Sequence, residues 1–169
     1  VLLGISERGE FCQDRGPSDF LAVLLRKYAG IDLPRVVLTR EMAFFALAGA
    51  HTSIHTLTHA VHELFGWLES RPEDKQFVLE EPRFIQKCVL ESIRLHPSSP
   101  IAARRTLCPM DIESKHVEKD SKVIIDLQSA NRSKTIFGED AGTFNPNRNL
   151  PKGQARYGLS FGQGMHACL

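Results

Sequence analysis

Hydrophobic and polar positions alternate with helical spacing as far as Leu95 and in short, broken runs after it. Residues up to Gly16 are polar and glycine-containing and read as a loop or frayed end. Ser18 has the N-cap chemistry for the helical run DFLAVLLRKYA, and Gly30 stops it. IDLPRVVL reads as a connector. A second helical pattern starts at Thr39, with Glu41 in its first turn, and continues to about Leu68. SRPEDKQFVLEEP predicts a turn and a short helix. Pro82 suits the first position of a further helix, PRFIQKCVLESIRL, which ends before Pro97. Beyond it come prolines, β-like runs such as KVIIDL, and the loop-rich stretch SANRSKTIFGEDAGTFNPNRNLPKGQARYG. The fold class expected is mainly α with a small β portion, without internal repeats.

The second helix is long for its setting. Thirty residues at 1.5 Å each reach about 45 Å, against roughly 30 Å for a small domain. Such a helix normally crosses the body of a larger protein. Val1 rather than Met opens the chain, so a segment upstream is expected.

Composition narrows the classes. The content is 42% hydrophobic and 24% charged, that of a soluble globular protein, and 169 residues suffice for a real core. A net charge of +1 gives no electrostatic reason to expect nucleic acid as a partner. The longest apolar run, Met42 to Ala50, is too short to span a bilayer. Cys12, Cys88, Cys108 and Cys168 are widely spaced without a C-x-x-C, which fits a reducing compartment and mostly buried thiols.

Several stretches carry candidate chemistry, each with a plainer explanation beside it. In ALAGAHTSIH, Ala48, Gly49 and Ala50 leave a shallow patch on the long helix where a flat ligand could lie; close helix packing would use the same residues. Thr52 can return its hydroxyl to the preceding turn or offer it to a bound species. His51, His55 and His59 follow i, i+4, i+8 spacing, which can hold a metal, but no H-E-x-x-H accompanies them and solvated or hydrogen-bonded histidines explain the pattern as well. Glu91 and Arg94 stand one turn apart on one helix face. With 12 Glu and 13 Arg in 169 residues, about one E-x-x-R arises by chance, and Glu80–Arg83 is a second. Only context separates them: Glu91–Arg94 lies deep in an apolar helix, Glu80–Arg83 straddles Pro82 at a helix start. In SFGQGMHACL, Gly162 and Gly164 allow amides to converge on one atom, for which a Cys168 thiolate is the natural target. A glycine turn leading to a core cysteine would look the same.

The order of the pieces is more specific than any one of them. AGAHTS, ESIRLHP, FNPNR and FGQGMHAC follow one another at separations that resemble the C-terminal half of a cytochrome P-450, a haem-thiolate monooxygenase. The likeness covers roughly Thr39 to Leu169, and the last motif matches the family's F-G-x-G-x-H-x-C-x-G up to its final glycine.

The resemblance implies the long central helix, the E-x-x-R helix and the haem-thiolate loop of that fold. It implies haem b, with Cys168 as axial thiolate and Phe161, Gly162 and Gly164 as the loop around the sulfur. His166 and Arg105, in preference to Arg104, would hold the haem propionates. Glu91, Arg94 and Arg148 would form a buried charge network. Ala48 and Gly49 would let the long helix pass over the distal face, and Thr52 would hydrogen-bond dioxygen and help to supply protons. His51 stands where the family usually has an acid; the sterol 14α-demethylase branch is similar in using His-Thr, and an imidazole can relay protons.

The implied reaction is insertion of one oxygen atom into an apolar small molecule, with electrons from a ferredoxin or flavoprotein reductase. The H-x-C form of the loop leans towards a soluble, bacterial-like, cytoplasmic member, an anchor upstream of Val1 remaining open. The resemblance also implies that residues 1–169 are a partial domain. On that reading the N-terminal half, a glycine after Leu169 and the helix beyond it lie outside the chain, which alone should take up haem poorly. The alternatives are a non-enzymatic histidine-rich metal-binding module and a truncated, non-catalytic fragment.

Overall fold

A computed structural model describes Ala22, Val23, Arg26, residues 34–164, Ala167 and Cys168. The helix expected after Ser18 therefore lies almost wholly outside the described residues; Ala22, Val23 and Arg26 are helical, and the Arg26 guanidinium donates to the Ala22 carbonyl at 3.2 Å. The chain forms two compact units, residues 1–50 and 51–169.

The long helix, α1, runs Arg35–Ser70, 36 residues. It begins earlier than the sequence reading, which gave RVVL to a connector. Pro34 is the reason: its carbonyl accepts the Val37 amide at 2.8 Å, so the proline stands at the helix start, where its missing N–H costs nothing. A 3-10 turn, Pro72–Asp74, and a short helix, α2 (Lys75–Glu80), follow. Helix α3 spans Pro82–Leu95, with proline in its first turn as expected.

The α1 end, α2 and α3 share a small core of Trp67, Phe84 and Cys88, backed by Leu64, Leu68, Phe77, Val78 and Phe144. Trp67 satisfies its indole N–H by donating to Asp74 Oδ2 at 2.7 Å, and the Arg71 guanidinium stacks 3.8 Å above its ring. On α3 the buried face is Phe84, Cys88, Glu91, Ser92, Arg94 and Leu95. Its first turns bury apolar side chains and its last turns bury charge.

Strand β1 (Ile101–Arg105) pairs antiparallel with β4 (Lys122–Asp126), Ile101 opposite Asp126 and Arg105 opposite Lys122. Between them β2 (Met110–Ile112) and β3 (Lys115–Val117) form a hairpin whose turn puts Glu113 at φ +55°. Buried Thr106 fastens the loop ends: its hydroxyl donates to Glu118 O at 2.7 Å and accepts from the Ser121 amide at 3.0 Å. Asp126 caps the short helix α4 (Leu127–Ala130) by accepting the Ser129 amide, and that bond holds its carboxyl below the usual range. One more short helix, α5 (Lys134–Phe137), precedes the irregular residues up to Cys168. Among the described residues no helix is long and apolar enough to cross a membrane.

Candidate functional site

The charge-burying end of α3 holds a fully bonded polar cluster. Glu91 and Arg94, both fully buried, meet as a two-bond fork: Arg94 Nη2 to Glu91 Oε1 at 2.7 Å and Nε to Oε2 at 2.9 Å. The other three Arg94 N–H groups reach the carbonyls of Asn131 (2.6 Å), Ala141 (2.7 Å) and Thr143 (3.3 Å). Arg148 is equally satisfied. Its Nε donates to Glu91 Oε1 at 3.1 Å, its Nη1 to Phe137 O and Asp140 Oδ1, and its Nη2 to the Asp140 and Thr143 carbonyls, each at 3.0 Å. Two guanidiniums thus use all ten donors and face two carboxylates. A lysine, with one charged point and three donors, has no equivalent. Asp140, half exposed, is held ionised below the ordinary carboxylate range, first by the Asn145 amide and then by Arg148. The second E-x-x-R, Glu80–Arg83, is exposed on both sides.

The cysteine loop lies close by in sequence and differs in detail from expectation. Gly158, Gly162 and Gly164 have φ of +61°, +68° and +71°, the left-handed region that favours glycine. The Gly162 amide, expected to turn towards the sulfur, donates instead to Leu159 O at 2.8 Å, because the backbone closes a turn there. The loop ends meet where the Cys168 amide donates to Phe161 O at 2.7 Å. Cys168 is a free, exposed thiol; Phe161 is exposed, with its ring edge-on to Tyr157 at 4.7 Å. His166 lies outside the described residues. The expectation of mostly buried thiols holds for Cys88, whose thiol burial pushes up to about 11, but Cys108 and Cys168 face solvent.

On α1, Ala48 and Gly49 are exposed, and a Cβ added at Gly49 would meet nothing within 4 Å. His51 and Thr52 are exposed too, and the Ser98 hydroxyl lies 3.4 Å from the Thr52 carbonyl. The histidine row has another use. The His59 ring lies 4.5 Å from His55 and stacks at 4.3 Å on His96, whose Nε2 is 2.6 Å from Glu63 Oε1. Burial first, then His96 and His55, push the His59 pKa down against the pull of Glu63. Among the described residues no three His, Cys, Asp or Glu side chains are grouped to hold a metal ion. Arg104 and Arg105, successive on β1, project to opposite sides of the ladder; Arg105 donates to Asp120 O at 3.0 Å and Arg104 to Ala103 O at 2.9 Å.

The family model described as Cytochrome P450 matches residues 69–169, which hold the E-x-x-R network and the cysteine loop. The chain belongs to the cytochrome P450 family. Among curated P450 relatives, the monooxygenase buaD of Petromyces alliaceus is 26% identical over 91% of this chain and 34% of its own length. Indoleacetaldoxime dehydratase of Arabidopsis thaliana is 29% identical over 56% of this chain and 20% of its own. Among solved structures, cytochrome P450 CREJ matches with a TM-score of 0.72 at 26% identity, covering 99% of this chain and 40% of that one. The chain spans about a third of the length of the first curated relatives it matches. It has the fold of a P450 C-terminal part, mainly helical with a small β portion.

The P450 family implies haem iron with a cysteine thiolate ligand, and the residues present fit that group. Cys168 is a free, solvent-facing sulfur on a loop closed by a backbone hydrogen bond, with exposed apolar Phe161 at the closure. The sequence reading missed Asp140, which completes the charge balance, and Asn131, which is buried between the network and the loop. Asp140 shows no pattern, but ANR could have drawn attention to an asparagine just after a short helix.

Proposed function

We propose that the protein is a haem-dependent monooxygenase, an oxidoreductase that inserts one oxygen atom from dioxygen into an apolar small molecule. The observation that carries this reading is the exposed Cys168 thiol on a glycine loop that follows a fully satisfied buried charge network. The 169 residues are then the C-terminal part of a P450 domain. Haem b, bound through that thiolate, supplies the activation of dioxygen.

The remaining tasks fall to the chain. Cys168 would hold the haem iron through its thiolate and lend it electron density, and Phe161 would supply an apolar side chain beside the loop closure. Positive φ at Gly162 and Gly164 keeps the loop backbone in a tight course that a larger residue would strain. Ala48 and Gly49 leave a shallow face on α1, and the space beside Gly49 is open. Thr52 would orient dioxygen and pass protons through its hydroxyl, with His51 as a further proton relay. Arg105, or Arg104 on the other face of β1, and His166 would pair with the haem propionates. Glu91, Arg94 and Arg148 hold the scaffold.

The balance is substrate C–H plus dioxygen, two electrons and two protons, giving the alcohol and water. A ferredoxin or flavoprotein reductase is the electron donor this requires. The test is the reduced, carbon monoxide-bound spectrum of the full-length protein loaded with haem. A thiolate-type Soret band abolished by Cys168→Ser is expected, and its absence from the unaltered protein defeats the proposal. His51→Ala should lower the fraction of electrons that end in product; unchanged coupling removes His51 from proton supply.

One observation favours a second reading. A relative 29% identical to this chain is named a dehydratase, so the same scaffold is associated with a reaction that removes water. Turnover under isotopically labelled dioxygen separates them: label in the product supports insertion, and its absence supports dehydration.

A further inference from the structure

Asn131 follows α4 and is completely buried. Its side-chain amide has three bonds. Oδ1 accepts the Leu159 amide at 2.7 Å, while Nδ2 donates to Arg94 O at 3.0 Å and to Ser160 Oγ at 2.9 Å. The Leu159 N–H can only donate and the Arg94 carbonyl can only accept, so the amide has one possible orientation. The Asn131 carbonyl in turn accepts Arg94 Nη1 at 2.6 Å. The Ser160 hydroxyl donates to Ile93 O at 2.8 Å, a second tie to α3. Gly158 completes the fit. At φ +61°, a Cβ there would lie 2.2 Å from Asn131 Oδ1.

The next links lead to the cysteine. Phe161 follows Ser160, and its carbonyl holds the Cys168 amide at 2.7 Å. A continuous route therefore runs from Arg94 through Asn131, Ser160 and Phe161 to the backbone of Cys168. Among the described residues, Asn131 is hydrogen-bonded both to Arg94 of the charge network and to Leu159 and Ser160 at the loop.

We propose that Asn131, with Ser160, is a positioning residue for Cys168: it fixes where the cysteine loop leaves the end of α3 and so sets the surroundings of the sulfur. This rests on Cys168 being the haem ligand. Aspartate at this position would keep the shape and lose both donors, and alanine would lose all three bonds while leaving polar groups buried.

The test uses the full-length, haem-loaded protein with Asn131→Asp, Asn131→Ala and the milder Ser160→Ala, against Cys88→Ala, a core change elsewhere on α3, as a stability control. Cys168→Ser is run first; if the unaltered protein has no thiolate-type carbonyl band for it to remove, the haem-ligand reading fails, and the inference with it. Where the band is present, two results are expected. Hydrogen exchange at the Leu159 amide should speed up by about tenfold or more in the Asn131 and Ser160 variants, while the β1–β4 ladder changes no more than in Cys88→Ala. The reduction potential, or the fraction of carbonyl complex with a neutral-thiol band, should shift beyond the Cys88→Ala value. A faster Leu159 amide with unaltered potential and thiolate fraction overturns the proposal, since Asn131 would then serve stability alone. Leu159 exchange matching the control overturns it as well. If the Asn131 variants do not fold, Ser160→Ala decides between these outcomes by the same two measurements.

Discussion

The two ends of α3 carry the same spacing and opposite physics. At its start, Glu80 and Arg83 flank Pro82 with both side chains in solvent. At its end, Glu91 and Arg94 are fully buried, and Arg148 and Asp140 close the set. Glu80 ends α2 and Arg83 belongs to α3, so no helical turn aligns that pair, and even an aligned exposed pair gains only a few tenths of a kcal/mol against water and salt. A buried set must match every donor, because any unmatched charge is carried without solvent. The contrast shows that the motif acts through its setting. The apolar face of Phe84 and Cys88 leads the helix inward, and segments about 40 to 60 residues later supply the partners.

The contrast breaks most sharply at the carboxylates. Glu91→Ala should cost about 3–5 kcal/mol, since it strands two buried guanidiniums, whereas Glu80→Ala should stay within about 0.5 kcal/mol. Urea unfolding of the two variants side by side would show it, and equal losses would mean that burial does not distinguish the ends. Gly158→Ala tests the packing behind the buried end: positive φ and the Asn131 contact together should cost about 2–3 kcal/mol. Unfolding midpoints measure that, and a neutral substitution would mean the turn yields freely. A smaller effect belongs to Asp140, at the solvent edge of the set. Its carboxyl titrates below the ordinary value near 4, so its contribution is present above that pH and is lost as pH falls through the lowered pKa. Asp140→Asn should cost roughly 1 kcal/mol or less at neutral pH, because the group is half exposed, and should flatten the acid limb of the stability curve. An unchanged limb would place the acid sensitivity elsewhere.

What the sequence disclosed follows the range of the interactions. Helix α3 was legible because its signals are local: proline in the first turn, apolar residues at helical spacing and a proline soon after the end. The start of α1 was misread because Pro34 and the valines of RVVL look like a break, although proline at a helix start is no obstacle. KVIIDL was visible as a strand, but its partner Ile101–Arg105 was not, since pairing Ile101 with Asp126 needs a long loop between them. The β2–β3 turn carries Glu113 at positive φ where Asn-Gly would have announced it. At the site, spacing alone could not rank the two E-x-x-R pairs; helix context did. Arg148 was reached only through family resemblance, because its partner Glu91 is 57 residues away. Asn131 went unnoticed for the same reason, with Arg94 37 residues before it and Leu159 28 after.

The core beneath α3 also has a use at the bench. Burial raises the Cys88 thiol to about 11, so at neutral pH only about one molecule in ten thousand carries it as thiolate. Alkylating reagents attack the thiolate, and Cys108 and Cys168 stand in solvent. Brief labelling should therefore mark these two and spare Cys88 while the fold is intact. Mass spectrometry of the labelled peptides would make Cys88 an internal reporter of unfolding, with Cys108 and Cys168 as accessible references from the same sample.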